Sequence, residues 1–206
     1  METASMTKRI NKDLVVNGTT IVTESAWNEE LNTKHDKLVA WLRAQQLEGV
    51  LLHRHENIAW LTGGAVEVRV LTPGETGVAS LLVTAEGKRY YFTTENEAPR
   101  LQDEEFGALD FEPVIFPWYA DDTLATAQNL AGAHIGSDTP GPGLISVNLY
   151  PLRQSLCESE IARYRWLGTQ TADATVESLH EVEAGLSEYD LDGKESPVTP
   201  DMEEAG

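Results

Sequence analysis

Gly49-Val50-Leu51-Leu52-His53-Arg54-His55-Glu56 runs directly into Asn57-Ile58-Ala59-Trp60-Leu61-Thr62-Gly63-Gly64, and this stretch decides the fold. Val50–Leu52 is a short apolar run typical of a buried strand. Asn57–Gly64 reads as a short apolar turn closed by glycines, with Trp60 packed beneath it. On a strand, His53 and His55 face the same way and could grip one metal, but a closed zinc site needs further ligands. The plainer reading is a polar strand end.

Upstream, Asn17-Gly18 between two β-branched runs predicts a hairpin, because both residues tolerate the positive φ of a type I′ turn. Ser25 is placed to cap a helix with Glu29 and Glu30 in its first turn and one apolar face from Trp27, Leu31, Leu38, Trp41 and Leu42. Downstream, Val66, Val68 and Val70 alternate with Glu67 and Arg69, which predicts a half-exposed strand. Val78–Thr84 and Arg89–Thr94 read as a hairpin, Glu95–Glu105 as a helix with Pro99 in its first turn or bending it, and Phe111–Phe116 as a strand. Asp121 or Asp122 caps a helix through Leu130, Ala133–Ser137 is a further strand, and Glu158–Glu183 is helical with Gly185 as its cap. This alternation around a central hairpin implies a three-layer α/β domain with a mixed sheet.

The formal net charge of −19, from 34 acidic and 15 basic residues, repels phosphate backbones and argues against nucleic-acid and anionic-membrane partners. A single cysteine, Cys157, excludes an internal disulfide framework and fits a cytoplasmic protein. No apolar run reaches the ~18–20 residues that span a bilayer.

Two segments carry a family resemblance. Asn57–Gly64 resembles the Asn-Ile-x-Tyr-Leu-Thr-Gly-Phe turn of creatinase/prolidase-type peptidases, the group that includes Xaa-Pro aminopeptidases, with Trp60 for Tyr and Gly64 for Phe. Leu152-Arg153 through Glu160-Ile161 to Arg165 resembles the Leu-Arg-x-x-Lys-x-x-x-Glu-Ile-x-x-x-Arg that opens their catalytic domain, with Leu156 where Lys is usual. The resemblance implies a ribonuclease-H-like mixed sheet between helices and covers roughly Ser25–Leu191. It divides the chain into an extension (1–24), an α/β domain (25–143), a linker with the catalytic domain's first helix (144–192) and a disordered acidic tail (193–206).

In that family two divalent metals (Mn, Co or Zn) are held by two Asp, one His and two Glu of a later domain, and nothing after Asp192 resembles it. The resemblance therefore implies a non-catalytic N-terminal half, truncated or a fragment, with no catalytic residue, no metal and no cofactor of its own. It would act as a homodimer or with a catalytic-domain partner; the alternative is an active Xaa-Pro peptidase or amidinohydrolase-type hydrolase complemented by a separate metal-binding chain. Arg69 is the one substrate-side binding candidate, because the family's strand after the glycine turn leans towards a neighbouring subunit's active site; otherwise it is an ordinary surface arginine. Trp118 and Tyr119 are expected in the core, and as a ligand or partner surface only if exposed.

Overall fold

The computed structural model describes residues 13–16, 18–70, 74–180, 182, 185 and 187. The expected hairpin forms: β1 (Leu14–Val16) and β2 (Thr19–Val22) pair antiparallel next to Gly18 at φ +76°, while Asn17 lies outside the described residues. Helix α1 (Glu24–Ala44) starts earlier than expected. Its cap is Thr23, not Ser25: Thr23 holds an extended backbone and its Oγ1 accepts from Ala26 N at 3.2 Å, whereas Ser25 already lies within the helix.

The deciding stretch becomes β3 (Gly49–Arg54) and α2 (His55–Leu61), so the apolar segment read as a turn is a short helix. Its glycine close is real. Gly63 takes φ +63°, and a Cβ there would stand 2.6 Å from Trp27 Nε1, which instead donates to Gly63 O at 3.1 Å. Beginning the helix at His55 also takes His55 off the strand, so it does not share a strand face with His53.

The chain continues through β4 (Thr76–Thr84), β5 (Arg89–Thr94), α3 (Ala98–Arg100) with a π-turn over Leu101–Glu105, and β6 (Glu112–Phe116). Then follow α4 (Thr123–Ala131), β7 (Ile135–Ser137), β8 (Ile145–Ser146), α5 (Tyr150–Arg153) and α6 (Glu158–His180). Helix α6 is described as far as His180, and the expected end at Glu183 lies outside the described residues. Asp122 takes the N-cap position of α4 without a side-chain bond of its own, while Asp121 Oδ1 accepts from Thr123 N at 2.9 Å.

Six strands form one sheet in the order β6-β5-β4-β3-β7-β8, with β4 antiparallel to its neighbours and every other pairing parallel. Strand alternation divides the buried side chains between two faces. Val50, Leu52, Leu81, Val83 and Tyr91 join Leu38 and Leu42 of α1 and Ile58 and Trp60 of α2. Leu51, Leu82, Tyr90, Phe92 and Ile135 join Ala127 of α4. This is the expected α/β arrangement of a mixed sheet between helices.

The strand expected over Val66–Val70 is absent. Val66 and Val68 are buried while Glu67 and Arg69 are exposed, so the alternation is real, but among the described residues the only backbone bond to the sheet is Val78 N to Val68 O at 2.8 Å. A Cβ on Gly77 would meet Val68 O at 2.1 Å, so that glycine lets the segment lie against β4 without a ladder.

The chain divides into two units, one ending at Ser159 and one beginning at Glu160. In the first, α1 buries charge that its periodicity did not announce. Glu30 and Lys34 are 2% and 5% exposed and pair at 2.6 Å, and Ser159 Oγ donates to Glu30 Oε2 at 2.5 Å. Lys34 Nζ also sits 5.9 Å from the Trp60 ring centroid.

Trp60→Ala should cost ~3–5 kcal/mol in chemical denaturation, as large buried truncations do; a loss below ~1 kcal/mol would contradict the burial. His35 gives a pH test. Burial, then the charge of Arg89, outweigh Asp36, the Gly87 hydrogen bond and Asp110, lowering its pKa from 6.5 to about 4. The unfolded chain binds this proton first, so the contribution is whole above pH 6.5 and is lost as pH falls towards about 4. His35→Gln should flatten that slope, by at most ~1.4 kcal/mol per pH unit; identical slopes would refute it.

Candidate functional site

The parallel strands end on one side of the sheet, and there the connections diverge. From β3 the chain passes to β4 on one side, while β7, reached later, lies on the other. A crevice at the carboxyl ends of strands where connections part is the usual ligand position in open α/β sheets.

Asp138, directly after β7, fills this place. Its Oδ1 accepts from His53 N at 2.9 Å, and its Oδ2 accepts from Arg54 N at 3.1 Å and Asn57 Nδ2 at 2.8 Å. Arg54 Nε donates to Asp138 O at 3.2 Å. The side chain is only 2% exposed. Burial alone would raise its pKa, but hydrogen bonds from His53, Asn57 and the two backbone N–H groups outweigh this and hold it below the ordinary carboxylate range.

His53 Nδ1 lies 2.9 Å from Thr139 Oγ1, 3.5 Å from Ser137 Oγ and 3.7 Å from Asp138 Oδ1. A hydrolytic triad places the hydroxyl and the carboxylate on opposite ring nitrogens. Here both gather on Nδ1, so the cluster cannot relay a proton from hydroxyl to carboxylate through the ring. It orients His53 and joins β3 to β7. The metal reading of His53 and His55 also loses its shared strand face, since His53 lies on β3 and His55 opens α2.

The loop after β6 brings Trp118 and Tyr119 to the same side of the sheet. Against expectation they are exposed, 70% and 73%, and meet edge-on with ring centroids 5.6 Å apart. The turn at Pro117, with Ala120 N donating to Pro117 O at 3.0 Å, lifts both rings off the edge strand. Asp121, next in the loop, is held below the ordinary carboxylate range chiefly by the Thr123 backbone N–H, with a smaller contribution from His53.

Arg69 lies outside this cluster and is exposed. Its Nε and Nη2 grip Glu67 at 2.6–3.1 Å, which pulls the Glu67 pKa down to about 2 and raises that of Arg69. Asp138 carried no sequence signal beyond its place after a short strand; its partners lie 81–85 residues earlier.

The chain matches the Creatinase/Prolidase N-terminal domain over residues 34–182 and belongs to that family. Among solved structures it resembles an Xaa-Pro dipeptidase from Bacillus anthracis at 15% identity and a TM-score of 0.59, covering 80% of this chain and 47% of that one. It also resembles the dipeptidase PepE from Mycobacterium ulcerans at 14% identity and a TM-score of 0.60, covering 81% of this chain and 48% of that one. The prolidase from Pyrococcus horikoshii OT3 aligns at 14% identity and a TM-score of 0.58, covering 80% and 47%. The chain spans about half the length of these structures, and the likeness is one of fold. No curated protein matches. No described helix is long and apolar enough to cross a membrane.

Asp138→Ala should destabilise the first unit by ~3 kcal/mol or more, because two backbone N–H groups and the Asn57 amide lose a charged acceptor. Urea titration of the purified variant measures this, and a loss within ~0.5 kcal/mol would show that the carboxylate is not their partner.

Proposed function

We propose that this chain is the non-catalytic N-terminal half of a prolidase-like metallopeptidase, acting in assembly and substrate access for a metal-binding half that resembles the rest of those enzymes. The observation that carries this reading is the family match, together with a span of about half the solved dipeptidases. Two metals acting on a bound water and a scissile carbonyl need several carboxylate and imidazole ligands, which this reading assigns to the other half.

Association would use α6. Tyr164, Leu167, Val176 and Leu179 on that helix are 53–66% exposed, and an apolar stripe of this kind commonly marks an interface. A second copy of the chain or a catalytic domain would cover it. Substrate access would involve Arg69. Because Glu67 already grips it, an anionic ligand must displace that carboxylate, and Glu67→Gln should expose Arg69 to such ligands.

The chain alone should not cleave Xaa-Pro dipeptides with added Mn²⁺, Co²⁺ or Zn²⁺. Chelator-sensitive turnover that copurifies with it would overturn the non-catalytic role. Turnover only on mixing with a separately expressed metal-binding chain would instead establish the complemented hydrolase. Light scattering of the wild type against Leu167→Lys/Leu179→Lys tests association: a dimer that becomes monomeric supports α6, and unchanged mass in both removes it.

A further inference from the structure

A second polar site lies away from the strand ends, between α1 and β5. It is a cavity of about 20 Å³ lined by Asn32 and His35 of α1, Thr62 after α2, Arg89 of β5, and Leu109 and Asp110 before β6. His35 is 7% exposed, yet its Nδ1 has no hydrogen-bond partner, and neither has the buried Nε of Arg89.

The chemistry of these two atoms is complementary. The Gly87 backbone favours a proton on the His35 ring, and Nε2 is the ring atom that approaches that glycine. Nδ1 of the neutral ring is therefore the lone-pair acceptor, and it needs a donor. Arg89 Nε is a donor and needs an acceptor. A group that satisfies both must donate and accept, as water or a hydroxyl does and an anion does not. Charge points the same way, since Asp110 and Asp36 both act on Arg89 and offset it. Size completes the case: a cavity of ~10–15 Å³ or more admits one water, which needs two to four polar partners.

We propose that this cavity holds one ordered water molecule, which accepts from Arg89 Nε and donates to His35 Nδ1 and so ties α1 to β5. The water replaces a direct contact between the helix layer and the sheet, and satisfies two buried groups that would otherwise each cost stability.

Crystals of the full chain, diffracting well enough to show ordered solvent and soaked in bromide, test this. The expected result is a single spherical peak within hydrogen-bond distance of both atoms, with no anomalous signal. A dry cavity overturns the proposal, and so does an anomalous bromide peak, which would make the site an anion site. Nuclear magnetic resonance of the chain labelled with ¹⁵N-histidine gives an independent reading at pH 7. His35 should be neutral, protonated at Nε2, with the shift of an accepting Nδ1; protonation at Nδ1 overturns the proposal.

Discussion

The Asp138 carboxylate is the constraint on which the far side of the sheet depends. It binds the last residues of β3 and the first turn of α2 from a position 84 residues later in the chain. Strand β7 is only three residues long, too short for its ladder alone to hold it. A charged acceptor with three donors supplies what the ladder lacks, and also fixes where α2 begins. Through α2 it sets the glycine close at Gly63, and through Gly63 the seat of Trp27 on α1. The helix layer over β3 thus takes its register from a carboxylate on another strand.

The two faces of the sheet are unequal. One carries α1, α2, the Val66–Val68 segment and α5; the other carries α4 alone. The thicker layer also holds most of the buried polarity: Glu30 with Lys34, and Lys37 Nζ reaching Leu152 O at 2.7 Å. Buried ion pairs gain little net stability, since removing two charges from water offsets their attraction. What fixes one arrangement of the packed elements is the bonds that leave α1: a slipped α1 would lose the Ser159 hydroxyl on Glu30 and the Leu152 carbonyl on Lys37.

Much of this was legible in the chain. The apolar run at Val50–Leu52, the Asn-Gly hairpin and the Ala85–Lys88 turn are local signals that tertiary context did not overturn. What failed had physical causes. Val66–Val70 alternates as a strand does, but periodicity reports burial, not hydrogen bonding, and Gly77 allows burial without a ladder. Ser25 and Thr23 are both able caps, and only the backbone of Thr23 is extended. Trp118 and Tyr119 obeyed the geometry of the Pro117 turn over the tendency of large aromatics to be buried. The strand-end cluster was invisible because His53 meets Asp138 and Thr139 only once the three strands and three helices between β3 and β7 have been laid down.

Strand order has a further consequence for any shortened chain. The β3–β4–β5 meander forms from neighbouring segments, but β3 becomes an interior strand only when β7 docks beside it. Until then Gly49-Val50-Leu51-Leu52 presents an uncharged, apolar edge with open backbone groups, the kind that recruits strands from other molecules. During synthesis that edge stands open until residues 135–138 have emerged, and long-range parallel pairing is slow. The half of the sheet richest in local contacts is therefore the half most exposed to aggregation, and the short β7 with its carboxylate acts as its guard.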